Sequence, residues 1–373
     1  MQKVYFDNAA TTPLSEVVAD IMHEANTELF GNPSSIHSFG RSARAKIEIA
    51  RKNIANSINA DSNEIIFTSS GTEANNSIFH CAIYDLGIER IITSEIEHYA
   101  VLKPILNLPQ KIEVDYVEVD NNGDVNLDHL KRLLSNKKKS LVSLMHVNNE
   151  IGNILPINEV ASICRENNAL FHSDTVQSIA YFDIDVKKLG IDFLSCSAHK
   201  FHGPKGIGFT FAKNGNDISA YIKGGNQERG LRGGTENTVG IIGLERALLD
   251  VKTDKENKLK KLSELKTYLI DELEKSDFDF AVNGNYRSSS PAILNVSFKT
   301  NKDVSMLLFN LDLEGVAISG GSACTSGANK GSHVLKHIGT PMDQPAIRIS
   351  FSTYNTKKEI DHLINVFQKL VSK

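Results

Sequence analysis

Two stretches of the sequence decide the fold: FHSDTVQ at residues 171–177 and SCSAHK at residues 195–200. Each lies at the end of a short apolar run, a pattern that is typical of a buried strand in a parallel sheet. Ligand-contacting side chains of α/β proteins lie where such strands end. Alone, an aspartate could cap a helix and a lysine could be solvated. Their joint context favours a shared crevice that both Asp174 and Lys200 reach.

The rest of the chain alternates strand-like and helix-like patterns, which predicts an α/β fold with a mostly parallel, mixed sheet. Apolar residues recur at helical spacing in residues 127–134 and 156–168. Strand-like runs occupy residues 64–67, 90–93, 114–119, 140–145, 169–171, 191–194, 206–211, 292–298 and 346–351.

The last two strand-like runs are set apart from the others by residues 235–276, which are helical and charged. We interpret this segment as the connection between a large domain and a smaller α+β domain. The chain is accordingly divided into a large domain, residues 15–255, and a small domain, residues 1–14 together with 256–373.

The composition of the 373 residues is that of a soluble globular protein, with 40% hydrophobic and 23% charged residues. The formal net charge of -4 offers no basic surface for nucleic acid or anionic lipid. Neither a membrane-length apolar run nor the apolar core of a signal peptide is present, so we expect a cytoplasmic protein. The 4 cysteines lack CxxC spacing, which predicts reduced thiols without a disulfide framework or structural zinc.

Asp174 and Lys200 would suit pyridoxal phosphate, which needs a lysine for a Schiff base, a carboxylate for its ring nitrogen and donors for its phosphate. Phosphate donors are predicted at residues 69–76, where SSGTEANN follows a strand and opens an amphipathic helix. Free N–H groups at a helix start attract an anion, Gly71 allows close approach and Thr72 adds a hydroxyl. The pattern also fits a simple capped helix, but its place after a strand favours phosphate.

Further candidate side chains follow other predicted strands. His98 follows the run at 90–93, where its ring could stack on a pyridine, although a lone histidine is more often a surface or core residue. Asn149 follows the run at 140–145 and offers an amide to coenzyme or substrate; otherwise it is a turn residue. The glycine-rich stretch at 230–237 precedes a helix and suits an anion, unless it is only a flexible loop.

Cys324 differs from the other cysteines because it lies among small residues, in SGGSACTSGA at 319–328. A reactive thiolate must be partly exposed, whereas structural cysteines are usually buried. Cys81, Cys164 and Cys196 lie in apolar patterns and are predicted to be core residues. The position of Cys324 by itself leaves both a reactive and a structural role open.

Nine motifs run in order along almost the whole chain: YFDNAATTP (5–13), GNPSSIH (31–37), SGTEAN (70–75), EH (97–98), HVNNEIG (146–152), DTVQ (174–177), SAHK (197–200), RGGT (232–235) and GSACTS (321–326). Together they resemble the NifS/IscS-type cysteine desulfurases of the class-V aminotransferase superfamily. So many collinear motifs make chance agreement implausible. The resemblance implies a PLP-dependent transferase of fold type I, and a homodimer with its active sites at the subunit interface.

The resemblance also implies roles for individual residues. Contacts with the coenzyme are implied for Gly71, Thr72, His98, Asn149, Asp174, Gln177, Ser197, His199, Lys200 and Thr235. Among these, Lys200 would form the Schiff base, Asp174 would pair with the ring nitrogen, and Thr235 would come from the partner subunit. His98 would stack on the ring. Contacts with the substrate are implied for Arg348, Asn149 and Asn32, because a bidentate guanidinium suits a carboxylate.

The implied reaction is the removal of sulfur from L-cysteine, with Lys200, Cys324 and His98 as catalytic residues. Lys200 and His98 would move protons, and the Cys324 thiolate would take the sulfur as a persulfide while L-alanine leaves. An acceptor protein such as an Fe–S scaffold would then receive the sulfur for cluster, cofactor or thionucleoside synthesis. No metal is expected in the resting enzyme, with Cys324 a candidate transient Fe–S ligand.

The sequence departs from the family pattern at two points. Ala198 stands where relatives often have glycine, a change that we expect to be tolerated. The C-terminal extension of the IscS branch is not matched, which leaves the sulfur acceptor open. Selenocysteine lyases, ordinary aminotransferases of the same superfamily and a silent partner-binding subunit are the alternatives. The intact Lys200, Asp174 and Cys324 argue against a silent subunit.

Overall fold

Strands and helices alternate along the chain, following its apolar runs. The computed structural model describes residues 3–299, 306–320, 331–341 and 343–371. The strands are β1 (Val4–Tyr5), β2 (Ile65–Thr68), β3 (Arg90–Thr93), β4 (Glu113–Tyr116), β5 (Ser140–Ser143), β6 (Leu170–Asp174), β7 (Phe193–Ser197), β8 (Gly208–Ala212), β9 (Phe280–Val282), β10 (Ile293–Phe298), β11 (Val316–Ala317) and β12 (Ala346–Ser350). The helices are α1 (Glu16–Glu28), α2 (Ser38–Ser57), α3 (Gly71–Tyr84), α4 (Tyr99–Leu106), α5 (Leu127–Leu134), α6 (Ile157–Glu166), α7 (Val186–Leu189), α8 (Thr238–Lys252), α9 (Lys255–Lys275), α10 (Leu307–Leu313), α11 (His333–His337) and α12 (Lys357–Leu370).

The large sheet has 7 strands in the order β2-β8-β7-β6-β5-β3-β4. Neighbouring strands from β7 to β4 are parallel, whereas β8 is antiparallel to both β2 and β7. Successive residues such as Phe193 and Leu194 belong to two different core clusters, so both faces of the sheet are packed. Burial on both faces explains why these strands are continuous apolar runs. The prediction of an α/β fold with a mostly parallel, mixed sheet is confirmed.

A smaller antiparallel sheet has the order β12-β10-β9. In its register Asn295 of β10 lies opposite Arg348 of β12. A separate parallel pair, β1 with β11, ties the N-terminal segment to this part of the chain. The two strands predicted here are confirmed as β10 and β12. The strands β1, β9 and β11 were not predicted, because segments of 2 or 3 residues carry no readable periodicity.

The segment 235–276 forms two helices that pack in different cores. Helix α8 contributes Ile241 and Leu244 to the cluster around the large sheet. Helix α9 contributes Leu262 and Leu265 to the cluster around the small sheet. The helical prediction is confirmed for this segment, and the change of core between α8 and α9 supports a boundary there. The division into residues 15–255 and the remainder stays a proposal.

The ends of several strands differ from the sequence predictions. Strand β4 ends at Tyr116 and β5 at Ser143, short of the predicted ends at 119 and 145. Strand β7 begins later than predicted and extends to Ser197. The hydrophobic pattern indicates which side chains are buried, whereas a strand ends where its backbone hydrogen bonds to the neighbouring strand end. The predicted and observed strand ends therefore differ by a few residues.

Three cysteines lie among the described residues, and all three are buried. Cys81, Cys164 and Cys196 are buried free thiols, as predicted. Burial, with a smaller contribution from the charge of Asp85, raises the pKa of Cys81 to about 12, so this thiol is un-ionised at neutral pH. Within the described ranges, no helix combines the length and the apolar character needed to cross a membrane.

Candidate active site

A cavity of about 220 Å³ lies at the edge of the large sheet where β3, β6 and β7 end. Asp174 is the last residue of β6, and Lys200 ends the short 3-10 turn that follows β7. His98 precedes α4 and caps its first turn. Parallel strands end at a common edge, which is why residues far apart in sequence meet here. Ten of the predicted site residues line the cavity: Gly71, Thr72, His98, Asn149, Asp174, Gln177, Ser197, His199, Lys200 and Arg348.

Asp174 is held in place by two hydrogen bonds, one to each carboxylate oxygen. The side chain of Asn75 donates from Nδ2 to Oδ2 at 2.8 Å, and the backbone N–H of Val176 donates to Oδ1 at 3.0 Å. Asn75 is completely buried inside α3, and its Oδ1 has no hydrogen-bond partner among the described residues. The two hydrogen bonds fix the orientation of the carboxylate. No pattern in the sequence indicates this role for Asn75.

The amine of Lys200 lies against the N-terminal segment. Its Nζ donates to the carbonyl oxygens of Ala9 at 2.7 Å and Ala10 at 2.9 Å. Gln177 donates from Nε2 to the same Ala9 carbonyl at 2.8 Å. The first residues of the chain therefore form one wall of the cavity and orient two of the predicted site residues. Sequence spacing alone could not reveal this contact, because it joins segments about 190 residues apart.

The start of α3 faces the cavity together with the turn after β7. Ser70 caps the helix by accepting a hydrogen bond from the Glu73 N–H at 3.2 Å. A Cβ added at Gly71 would lie 2.7 Å from Val176 Cγ2, so only glycine brings the backbone this close. His199 Nδ1 is hydrogen-bonded to Thr11 Oγ1 at 3.1 Å. This corner offers free N–H groups and hydroxyls, which suits an anion.

The two cavity histidines are kept neutral at physiological pH. Burial, followed by the charges of Lys200 and Lys205, lowers the pKa of His199 to about 4. Burial is also the main cause that lowers the pKa of His98, and the neighbouring carboxylate of Asp174 opposes it. The Nδ1 atom of His98 accepts the Ala100 N–H at 3.0 Å, so the proton of the neutral ring resides on Nε2.

Arg348 is a buried cation at the other side of the cavity. It donates from Nη2 to Asp7 Oδ1 at 2.8 Å and from Nη1 to the Asn149 carbonyl at 2.9 Å. Its Nε is buried without a hydrogen-bond partner among the described residues. The backbone N–H of Arg348 donates to the Ser319 carbonyl at 2.7 Å. Asp7 therefore fixes the guanidinium, a role that the sequence analysis did not assign.

Glu97 is a second carboxyl group near the cavity that the sequence analysis did not assign. It is buried, and its Oε1 accepts hydrogen bonds from the Met145 N–H at 2.9 Å and the Ser94 hydroxyl at 3.1 Å. Burial, with a further contribution from the charge of Asp174, raises the pKa of Glu97 to about 8. Glu97 is therefore mostly neutral at pH 7, and Asp174 does not face a second full negative charge.

The comparisons with known proteins agree with this geometry. Residues 4–363 match the family model described as aminotransferase class-V. The chain belongs to the class-V aminotransferase family. It is 43% identical to the cysteine desulfurase IscS of Dictyoglomus turgidum, covering 100% of this chain and 95% of that protein. A solved NifS-like protein superposes with a TM-score of 0.91 at 36% identity, covering 99% of both chains. A structure described as SspA in complex with cysteine has a TM-score of 0.83 at 31% identity, covering 95% of this chain and 100% of that one.

Pyridoxal phosphate is the coenzyme of the class-V aminotransferases, and the cavity of this member fits it. An amine and a carboxylate, Lys200 and Asp174, line the same space, and a helix start at Gly71 lies beside them. The unpartnered Nε of Arg348 is a buried donor still available to a ligand. These groups match the donors and acceptors that the coenzyme and an amino-acid carboxylate require.

Two predicted site residues that the structure describes are not brought into the cavity. Thr235 is exposed, and Asn32 accepts a hydrogen bond from the Ser34 N–H at 2.9 Å; neither lines the cavity. Cys324 lies outside the described residues. In the parts of this class-V aminotransferase that the structure describes, no three His, Cys, Asp or Glu side chains are grouped in a way that could hold a metal ion.

Proposed function

We propose that this class-V aminotransferase is a cysteine desulfurase, which converts L-cysteine to L-alanine and carries the sulfur as a persulfide on Cys324. The observation that carries the proposal is the shared cavity of Lys200, Asp174 and Arg348. The amine of Lys200 suits the coenzyme aldehyde, and the carboxylate of Asp174 suits the ring nitrogen. The guanidinium of Arg348 suits the substrate carboxylate. The full-length similarity to cysteine desulfurase IscS supports the choice of substrate.

Pyridoxal phosphate would be held by residues from both sides of the cavity. Asp174, fixed by Asn75, would pair with the ring nitrogen, while Gln177 would contact the phenolic oxygen and His98 would stack on the ring. Gly71, Thr72, Ser197 and His199 would bind the phosphate, and Asn149 would contact coenzyme or substrate. When bound, the coenzyme draws electrons from the substrate carbons, which makes the α-proton acidic and the carbon–sulfur bond easier to break.

Arg348 would bind the substrate carboxylate. Its Nε is buried without a partner among the described residues, and its Nη2 is oriented by Asp7. A guanidinium can contact a carboxylate through two parallel N–H groups, which fixes the substrate in orientation as well as in place. The carbonyl of Asn149 further restrains the guanidinium. We propose that Asn32 assists Arg348 from outside the cavity.

Lys200 and His98 would move the protons. Lys200 Nζ, oriented by the Ala9 and Ala10 carbonyls, would take the proton from the substrate α-carbon. The neutral ring of His98 holds its proton on Nε2 while Nδ1 accepts the Ala100 N–H, so His98 would donate a hydrogen bond from Nε2. It would take up a further proton only once Nδ1 releases that N–H.

Cys324 would take the sulfur. Its thiolate would attack the substrate sulfur, so that an S–S bond forms while the carbon–sulfur bond breaks and its electron pair remains on carbon. Protonation of that carbon, and return of a proton from Lys200 to the α-carbon, complete L-alanine. The persulfide would then pass to an acceptor protein, such as an Fe–S scaffold, and Cys324 is a candidate transient Fe–S ligand.

We further propose a cytoplasmic homodimer in which Thr235 completes the phosphate site of the partner subunit. Thr235 is exposed and lies outside the cavity of its own subunit. A hydroxyl so placed can contact a coenzyme only if that coenzyme belongs to another chain. The division into residues 15–255 and a small domain carrying Cys324 and Arg348 belongs to the same proposal.

The reaction is tested by measuring alanine and persulfide formation from L-cysteine. We expect Lys200→Ala to lose both products together with the visible absorbance of the bound coenzyme. Cys324→Ala should lose persulfide while the coenzyme absorbance is retained. Cys164→Ala is the matched control, since it removes a thiol that is buried in α6, and it should keep both products.

Two outcomes would contradict the proposal. Undiminished release of sulfur from L-cysteine by Cys324→Ala, as sulfide or persulfide, would exclude a sulfur carrier at this position and would favour a lyase. A wild-type protein that gains no visible absorbance with added coenzyme would favour a catalytically silent subunit.

A further inference from the structure

The free edge of the large sheet at β2 is closed by a buried ion pair. Arg51 of α2 donates to Glu228 through two N–H groups, with Nη1–Oε2 2.7 Å and Nη2–Oε1 2.8 Å, and both side chains are 3% exposed. Arg51 Nη1 also donates to the Ile65 carbonyl at 2.9 Å, and the Phe67 N–H donates to Glu228 Oε2 at 2.8 Å. Of the described strands, β8 alone pairs with β2. The ion pair thus satisfies the backbone groups that a further strand would otherwise bind.

The turn that carries Glu228 adopts a disfavoured backbone conformation. Glu228 has φ 46 and Arg229 has φ 58, in the left-handed region that residues with a Cβ rarely adopt. Arg229 is held by the Ser62 carbonyl at 3.1 Å and by the carboxylate of Glu48 at 2.9 Å. Such strain persists only where surrounding contacts fix it, and it is concentrated at functional sites. The turn is therefore held in one conformation by its side chains.

Contacts continue from this turn to Thr235. Arg232 donates from Nε to Glu73 Oε1 at 3.0 Å, which ties the segment to the first turn of α3. The Gly233 N–H donates to the Ile222 carbonyl at 2.8 Å, and the Gly234 N–H donates to Gln227 Oε1 at 3.1 Å. The next residue, Thr235, is exposed. A segment fixed at several points therefore ends in an exposed hydroxyl.

We propose that Arg51 and Glu228 are positioning residues for the coenzyme phosphate, acting through Thr235. This inference rests on the proposed function, in which Thr235 reaches the phosphate of the partner subunit. A hydroxyl makes a good hydrogen bond only when its oxygen lies about 2.5 to 3.0 Å from the acceptor. The ion pair holds this segment against the sheet of its own subunit. It thereby fixes the position in which Thr235 is presented to the partner subunit.

The test compares two ligands, pyridoxal phosphate and pyridoxal, which differ only in the phosphate. Binding to the dimeric apoprotein is followed by the visible absorbance of the bound ligand. We expect Glu228→Gln to weaken binding of pyridoxal phosphate by about tenfold, the effect of one hydrogen bond to a charged group. Binding of pyridoxal should stay unchanged. Thr235→Ala should give the same loss, and the double variant should lose no more than Thr235→Ala alone.

Asp115→Asn is the matched control. Asp115 is hydrogen-bonded to the buried Arg90 on β3 and β4, at the opposite edge of the sheet, so this change also removes a carboxylate from a buried arginine. It should leave the preference for pyridoxal phosphate over pyridoxal at the wild-type value. If Glu228→Gln fails to fold, Arg51→Lys replaces it, because lysine keeps the charge but lacks the planar guanidinium that pairs with both oxygens of Glu228.

The outcomes separate this inference from the proposed function. A wild-type protein that binds pyridoxal as tightly as pyridoxal phosphate would contradict the proposed phosphate site. A wild-type protein that prefers the phosphate, with an unchanged preference in Glu228→Gln or Arg51→Lys, would overturn only the role of the ion pair. An equal loss of preference in Asp115→Asn would also overturn it, because the effect would then follow from general destabilisation.

Discussion

Individual buried polar residues determine how the site of this protein is held. Asp174 depends on Asn75, and Arg348 depends on Asp7, although neither partner is marked by a strand end or a helix start. Each pair joins positions that are far apart in sequence, and such partners are recognisable only once the chain is folded. Removing one member leaves a buried charge or amide unsatisfied, which costs about 1 to 3 kcal/mol.

A buried histidine makes stability depend on pH. His172 is fully buried in β6, its Nδ1 is hydrogen-bonded to Ser143 Oγ at 2.9 Å, and burial lowers its pKa to about 3. Between about pH 6.5 and pH 3 the unfolded chain binds a proton that the folded protein does not, so stability is lost as the pH falls. We expect His172→Asn to reduce the slope of unfolding free energy against pH by up to ~1.4 kcal/mol per unit in that window.

Denaturant unfolding at several pH values measures this slope. Ser143→Ala is the control, because it removes the same hydrogen bond without removing a titrating group. It should lower stability at every pH and leave the slope unaltered. A His172→Asn protein with the wild-type slope would show that His172 is not the residue responsible.

At the scale of elements, the start of α3 shows how closely helix and sheet approach at the coenzyme site. Gly71 lies in helical conformation, so alanine is allowed by the backbone, but its Cβ would lie 2.7 Å from Val176 Cγ2. We expect Gly71→Ala to displace the helix start, to lower stability by about 1 to 3 kcal/mol and to weaken binding of pyridoxal phosphate.

The double variant Gly71→Ala with Val176→Ala provides the control, since it removes the methyl group that the new Cβ would meet. Coenzyme titration and thermal unfolding should show partial recovery of both affinity and stability. A double variant as impaired as Gly71→Ala would show that the contact with the Val176 methyl group is not what excludes a side chain at this position.

At the scale of the whole molecule, an apolar patch at 30–39 supports the proposed dimer. Phe30 and Phe39 lie with ring centroids 4.9 Å apart and are 70% and 55% exposed, and Ile36 is 91% exposed. Clustered exposed apolar side chains are typical of protein–protein interfaces. We expect Phe39→Ser to shift the protein from about twice the chain mass of 41.0 kDa towards that mass in sedimentation equilibrium.

Leu313→Ser is the control for that experiment, because Leu313 is similarly exposed, at 57%, but lies on α10 beside the small sheet. It should leave the dimer intact. Phe39→Ser should also release coenzyme more readily, since each site would lose the partner's hydroxyl. A Phe39→Ser protein that stays dimeric would place the interface elsewhere.

Strongly patterned elements were predictable from sequence, whereas their ends and short strands were not. Helix α5 was predicted at 127–134 with the bounds that it has, because apolar side chains recur on one face. The two-residue strand β1 carries no period, and its pairing with β11 depends on more than 300 intervening residues. Strand β4 was overextended because it is a partly exposed edge strand with a weak pattern.

The sequence by itself determined the α/β fold, because buried parallel strands have local signatures, and its resemblance to a known family indicated the ten residues that line the cavity. Only the tertiary structure decided how those residues are held. The contact of Lys200 with Ala9, the bond between Asn75 and Asp174 and the closure of β2 by Glu228 all join distant segments. Such partners are selected by packing and by the need to satisfy buried polar groups, and neither leaves a local pattern in the sequence.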